Sequence, residues 1–385
     1  MNEEKPDHQR RKLIKSGLIA GSAASFPSLV LPALAQGETL IPFTDMPADY
    51  QRGPAQPGAV HFLDTRKISS FYSDNKDFYV VQHYGQPELD LDTFSLKISG
   101  LVDKPKQFSL AELKSRPQIE LDAGFECGGN QGRMFHGLIG NARWKGVRLT
   151  ELLKECGVQA DGKEIVFFGG DLGEENIRGK TVKQSFGRSL SIDDAMNDDI
   201  ILALEMNGEP LPLYHGKPLR LIVPGWYGVA NVKWLNQIHV QDTRFMGRFM
   251  ARDYVTLKKD NLGGEERWVE SSVAKMNLKS IISRVVKNGD KYIISGFVLN
   301  DGTPLKSVEI KIDDGQWQPA KFDAKNTRYS WKLFSLEWDN ATPGSHTLVS
   351  RVSDINGNTQ ARAEDLPEKA TYWEDFGQFP RSLTI

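Results

Sequence analysis

Cysteine is the scarcest chemistry in this chain, whose 385 residues carry only Cys127 and Cys156. Two thiols cannot build a disulfide framework, although a single Cys127–Cys156 bridge stays open as the plainer alternative to two separate roles. No second Cys or His stands at zinc-ligand spacing from either, and no Cys-x-x-Cys-His haem-attachment sequence occurs. An excess of one charge is missing too. With 48 basic and 50 acidic residues, the chain has no electrostatic reason to seek nucleic acid or an anionic membrane. No stretch reaches membrane-spanning length, and neither internal repeats nor low-complexity tracts are found. What remains, 39% hydrophobic and 25% charged, suits a globular chain long enough for two cores.

The first 35 residues read as an address. Gln9-Arg10-Arg11-Lys12-Leu13-Ile14-Lys15 sets paired arginines before a mild apolar run, Leu18 to Phe26. Ala33-Leu34-Ala35 then supplies small residues for cleavage before Gln36. These parts predict a twin-arginine signal, a route that exports folded proteins to the periplasm. A basic tail with a chance arginine pair is the alternative.

Residues 36–77, rich in Pro, Gly and polar side chains, are expected to wrap over the domain that follows. Phe78-Tyr79-Val80-Val81, Phe94 to Ile98, Ile165 to Phe168 and Leu219 to Val223 predict strands. Ser109, three residues before Glu112, predicts a capped helix, and Ser191 to Met196 a second. Thr150 to Cys156 predicts a helix stopped by Gly157, with Cys156 on its buried face. Strands and short helices without a βαβ rhythm predict an α+β domain, taken as residues 36–260. Residues 244–275 read as loop. Beyond them, Tyr292 to Val298, Val308 to Ile312, Tyr329 to Leu333 and His346 to Val352 alternate between turn signals. That spacing predicts an all-β, immunoglobulin-like sandwich over residues 261–385.

Two segments are dense in chemistry. In Gly124-Phe125-Glu126-Cys127-Gly128-Gly129-Asn130-Gln131-Gly132-Arg133, glycines let the backbone beside the thiol approach something bulky. Such a cysteine could be a nucleophile, or one thiolate ligand of a metal whose other ligands come from a cofactor. In the segment from Glu205 to Leu235, turns governed by glycine and proline present His215, Arg220 and Lys233 near strand ends. Three such groups on a rigid frame suit a phosphate-bearing ligand.

Four ordered blocks then carry a resemblance: Glu126 to Asn130, Asn141 to Val147, Glu205 to Leu211, and Val223-Pro224-Gly225 through Leu235. With Arg351 to Gln360 in the β-rich end, the chain resembles the sulfite oxidase family over residues 75–360. The resemblance implies a molybdopterin-binding catalytic domain followed by a dimerisation domain, hence a homodimer. It implies one molybdenum on one molybdopterin per chain, with Cys127 as the protein's metal ligand. Carried over by position, Tyr79, Gln82, His83, Asp171, His215, Arg220 and the Asn231-Val232-Lys233 turn would hold the pterin and its phosphate. Tyr254 would be the active-site tyrosine, and Arg133 the arginine after the cysteine, shifted by one residue. The activity implied is periplasmic oxidation of sulfite to sulfate. With no haem in this chain, electrons would pass singly to a separate c-type cytochrome.

One position departs from the pattern. Where many members carry arginine two residues before the histidine, this chain has Val81, which cannot bind an anion. Arg66, Arg133, Arg188 and Lys217 are the candidate replacements. A related molybdenum enzyme acting on a sulfoxide or protein-bound sulfur is therefore the second reading. A non-catalytic binding protein on the same fold is the third.

Overall fold

The computed structural model describes residue 34, residues 37–47 and residues 60–385. The expected export signal lies outside them apart from Leu34. Two five-stranded sheets build the catalytic part. In the first, Ile119–Glu126, Ile139–Arg148, Ile201–Met206 and Arg220–Ile222 lie side by side, all antiparallel, and the short Glu209–Pro210 also pairs with Ile201–Met206. In the second the order is Lys106–Ser109, Ser95–Gly100, Leu235–Gln241, Glu164–Ile177 and Lys180–Ser191, with Ser95–Gly100 and Leu235–Gln241 parallel.

Glycine sets one of these contacts. At Gly146 the register between Ile139–Arg148 and Ile201–Met206 shifts, and a Cβ would sit 2.0 Å from the Leu202 carbonyl oxygen. Gly146→Ala must therefore push two central strands apart. The expected cost is about 1–3 kcal/mol, read as a lower urea midpoint at constant slope.

The helix signals are present but short. Ser109 caps Leu110–Ser115 with a full capping box, and Leu149–Cys156 ends at left-handed Gly157, whose N–H reaches the Leu153 carbonyl at 3.0 Å. Cys156 is fully buried on that helix and both cysteines are free thiols, so no bridge links them. The described residues hold α-helices of only four to eight residues, and the fold is mostly β, more so than the α+β expectation.

Three expectations are corrected. Phe78-Tyr79-Val80-Val81 is not a strand; only Val80 bridges, to His61. Its side chains are spent on packing instead: Phe78 is fully buried over Gly140, where a Cβ would lie 2.3 Å from its ring. Residues 244–275 are not loop. They hold the helix Arg248–Ala251 and a hairpin, Val255–Leu262 with Glu265–Ser272, turned by left-handed Gly263 and Gly264. The boundary expected at residue 260 falls inside that hairpin. Finally, the stretch expected to wrap the catalytic domain divides. Glu38–Ile41 pairs with Lys279–Asn288, and Phe43 and Met46 join the C-terminal core.

The C-terminal part is all β. One eight-stranded sheet runs in the order Glu38–Ile41, Lys279–Asn288, Lys291–Leu299, Lys332–Trp338, Gln318–Phe322, Leu305–Ile312, Ser345–Asp354 and Arg381–Thr384. The expected strands at Tyr292, Val308 and His346 are all there; the one expected at Tyr329 begins at Lys332. Two cores result. The first also takes in Phe297, Tyr329 and Trp331, so the two parts share apolar contacts where the Tyr329 carbonyl accepts the Gly124 N–H at 2.9 Å.

Candidate active site

Cys127 follows the end of strand Ile119–Glu126 and starts a tight turn. Its N–H bonds the Leu138 carbonyl and its own carbonyl accepts the Asn130 N–H, each at 2.9 Å. Asn130 staples the loop: its Oδ1 accepts from the Leu138 N–H at 3.0 Å and its Nδ2 donates to Glu126 Oε2 at 2.8 Å. The expected close approach is real. A Cβ on Gly128 would lie 2.9 Å from Val273, and one on Gly129 would lie 3.1 Å from the rings of both Trp373 and Tyr372. Burial pushes the Cys127 thiol up to about 11, with the Gly129 N–H and the Tyr254 hydroxyl acting the other way. The protein alone holds a neutral thiol there; a bound metal would take the proton's place.

Cys127 opens onto a cavity. Tyr79, Gln82, His83, Asp171, His215, Arg220, Asn231, Lys233 and Tyr254 line it as well. Two predicted residues do not. Val232 is buried with its backbone paired to Ala230 and Leu221, and Arg133 lies over the Tyr372 ring, 5.3 Å from its centroid. Phe186 belongs to the lining but carried no sequence signal, being an apolar residue of a kind that many strands contain; Gly228 and Val229, also in the lining, lie within the Val223 to Leu235 block without having been singled out.

The electrostatics of the cavity are unbalanced. Arg220 donates to the carbonyls of Asn231 at 3.3 Å and His215 at 3.2 Å; Lys233 donates to those of Val81 at 2.9 Å and Tyr214 at 3.2 Å. Neither has a carboxylate in ion-pair range among the described residues, where twenty-odd other pairs form. Burial pushes Arg220 down to about 10 and Lys233 well below the ordinary lysine range. Asp171 acts on Lys233 only from beyond ion-pair range, so cations placed in this way favour an anion. His215 donates Nε2–H to the Asn75 carbonyl at 2.8 Å, leaving Nδ1 as an acceptor; burial, then Arg220, keeps it neutral.

On another wall, Gly169, Gly170 and Asp171 bulge from the strand pairing between Phe168 and Leu172. Asp171 is buried, and its Oδ1 has no hydrogen-bond partner. Burial pushes its carboxyl up to about 6. Such an atom lacks the N–H of a ligand. Gly228 packs where a Cβ would be 1.8 Å from the Tyr79 hydroxyl, so this wall admits no side chain. These features fit a pterin with an anionic phosphate.

Beside the thiol, Tyr254 holds a left-handed conformation, φ 55°, rare for an aromatic residue. Its hydroxyl lies 2.8 Å from His83 Nε2, and His83 packs on Phe249 and Phe186 at 4.5 and 5.0 Å. Burial, then Lys233 and Arg248, pushes His83 down to about 3, so the ring is neutral. Arg188 braces the segments on both sides, donating to the carbonyls of Phe249 and Val273 and to Ser272 Oγ. Among the described residues no group of three or more His, Cys, Asp and Glu could hold a metal, so Cys127 stands as a lone thiolate donor.

Residues 83–249 match the family described as oxidoreductase molybdopterin binding domain. The mitochondrial sulfite oxidase of Drosophila melanogaster is 36% identical over 295 residues, 69% of this chain and 50% of that protein. The chain thus spans about half the length of that relative. A nitrate reductase of Ulva prolifera is 26% identical over 321 residues, 73% of this chain and 37% of its own. In fold, the chain superimposes on the sulfane dehydrogenase SoxCD of Paracoccus pantotrophus with a TM-score of 0.72 at 24% identity, covering 88% of this chain and 90% of the other.

Proposed function

Because the chain belongs to the sulfite oxidase family of molybdopterin-binding oxidoreductases, we propose that it is a sulfite dehydrogenase, oxidising sulfite to sulfate and passing electrons singly to a separate c-type cytochrome. The observation that carries this reading is the lone buried thiol of Cys127 sharing one cavity with buried Arg220 and half-buried Lys233, two cations with no carboxylate in ion-pair range among the described residues. Molybdenum on molybdopterin, when bound, supplies oxygen-atom transfer and a two-electron couple. The chain's own residues do the rest. Cys127 would ligate the metal; Lys233 and Arg220 would receive the phosphate end; His215 Nδ1 and Asp171 Oδ1 would accept pterin N–H groups. Tyr254, its hydroxyl fixed by His83, offers a hydrogen bond to an oxygen of the substrate, and the Phe186 and Phe249 rings keep water from that bond.

The test is sulfite-dependent reduction of ferricyanide and of a c-type cytochrome by protein made with cofactor synthesis intact. Turnover with about one molybdenum per chain is expected. Absence of the metal would sink the enzyme readings and leave a binding protein. Tyr254→Phe is expected to lower turnover about 10–100-fold at unchanged molybdenum content.

A second reading is favoured by Val81. It lends only its backbone carbonyl, to Lys233, and the candidate replacement cations are engaged elsewhere. Arg66 pairs with Asp64 at 3.0 Å, Arg188 is spent on backbone carbonyls, Arg133 lies on Tyr372, and Lys217 lines outer grooves. Such a wall suits sulfur without a full anionic charge, including sulfane or protein-bound sulfur. A kcat/KM for a sulfane-sulfur compound well above that for sulfite would favour it.

Export by the twin-arginine route to the periplasm belongs to the same proposal, and a reporter fused behind residues 1–35 tests it. The all-β C-terminal part, an eight-stranded run in which Lys279–Asn288 also contacts Ser345–Asp354, supports an immunoglobulin-like assignment and a homodimer built on it. Light scattering measures the latter.

A further inference from the structure

After Gln360 the chain leaves the sandwich and loops back over the catalytic domain. The loop is closed at its base, where the Gln378 N–H bonds the Ala361 carbonyl at 2.9 Å and buried Gln360 bonds the carbonyls of Phe376 and Gly377, each at 3.1 Å. Along its length it is pinned to the strand Val255–Leu262. The Lys259 N–H reaches the Glu368 carbonyl at 2.8 Å, and the Ala370 N–H reaches that of Leu257 at 2.9 Å. Its tip is Tyr372-Trp373-Glu374, and the tip meets the cysteine loop.

Three contacts define that meeting. The Glu374 N–H bonds the Gly128 carbonyl at 2.8 Å, with Glu374 itself left-handed at φ 58°. A non-glycine residue keeps that conformation only where its surroundings hold it. Lys369 Nζ does so, bonding the carbonyls of Trp373 and Glu374 at 2.8 and 2.9 Å. Trp373 then lies flat on Tyr254, centroids 4.3 Å apart and planes at 26°. Gly129 has no side chain because Trp373 and Tyr372 occupy that space.

We propose that Trp373 is a positioning residue for Tyr254, the surface that fixes the phenol ring and so aims its hydroxyl at the site of reaction. Tyr254 turns about two side-chain torsions. The hydrogen bond with His83 restrains its hydroxyl end, while Phe249, tilted and 6.5 Å away, holds the ring loosely. The stacked indole supplies the missing restraint. Without it the ring tilts, and a misplacement of about 1 Å costs about 10²-fold in rate. The inference rests on the oxidoreductase reading of the pocket.

The experiment is a double-variant cycle in full-length, molybdenum-loaded protein. Trp373→Ala should lower kcat about as far as Tyr254→Phe, some 10–100-fold, with KM little changed. Trp373→Phe, which keeps a ring on Tyr254, should restore most of it. The double variant Trp373→Ala/Tyr254→Phe should be no slower than Tyr254→Phe alone, because the indole acts only through the phenol. Hydrogen exchange over residues 369–378 should be unchanged in Trp373→Phe. Should Trp373→Ala fold poorly, Trp373→Leu fills the space without stacking and is read in its place. Multiplying losses in the double variant overturn the inference, as does loss of molybdenum from the Trp373 variants alone. Unimpaired Trp373→Ala beside an impaired Tyr254→Phe overturns it while leaving the reading of the pocket intact. Unimpaired Tyr254→Phe overturns both.

Discussion

Cys127→Ser is expected to give a folded protein with an almost unchanged melting temperature and turnover lowered by more than the about 100-fold that losing an outer-shell partner costs. The two side chains are nearly isosteric, and the loop around them is held by the backbone and by Asn130 rather than by the sulfur. What changes is the donor. Serine keeps its proton far above the range in which even this raised thiol, at about 11, gives its own up to a metal, and its oxygen is a hard ligand where a covalent sulfur is wanted. Cys156→Ser is the contrasting variant. Its thiol is buried on a helix face away from the cavity, so it should cost stability and leave turnover alone. Metal analysis, melting and ferricyanide turnover of the two variants separate the roles; a fully active Cys127→Ser would remove thiolate ligation from the proposal.

Lys279→Ala is expected to destabilise the protein by about 3–5 kcal/mol. Lys279 and Glu126 are each 1% exposed and meet at 2.9 Å, with the ammonium also reaching the Asn130 carbonyl at 3.3 Å. Glu126 Oε1 already has no partner, and burial pulls the carboxyl's pKa up against the ammonium that holds it down. Removing the lysine strands that carboxyl in an apolar interior one residue from Cys127. The double variant Lys279→Met/Glu126→Gln should recover most of the loss, since neither buried charge is then left alone. Urea unfolding of the single and double variants checks this. A shift under about 1 kcal/mol in Lys279→Ala would mean that water or a neighbour already satisfies Glu126.

The pattern of success in reading the sequence follows from range. Ser109 with Glu112, and Cys156 with Gly157, are signals whose partners lie within one turn, and the helices stand where they point. The cavity was legible for a different reason. Tyr79, Asp171, His215 and Lys233 are far apart in the chain, and only a resemblance across ordered blocks could bring them together. Where a residue's setting depends on a distant partner with no such block, reading failed. Phe78 to Val81 is a short apolar, β-prone run that reads as a strand, yet its neighbours are Gly140 and Lys233 rather than another edge. The hairpin after Tyr254 has strands in which charged and polar residues interrupt the apolar rhythm, and its turn is made by left-handed Gly263 and Gly264. Trp373 was invisible because nothing near it in sequence tells that it comes to rest on Tyr254.

The pairing of Glu38–Ile41 with Lys279–Asn288 bears on when the fold can close. The same segment continues to the other end of the chain, where the Thr44 N–H bonds the Ser382 carbonyl at 2.7 Å and Asp45 pairs with buried Arg381 at 3.0 Å. These contacts span nearly the whole length of the polypeptide. Their loop-closure entropy must be met late, after the ribosome has released the last strand. A half-made chain therefore leaves an open sheet edge and the apolar faces of Phe43 and Leu383 uncovered. Pairing of these two distant strands, rather than growth of the sheets around Cys127, becomes the step that covers this edge.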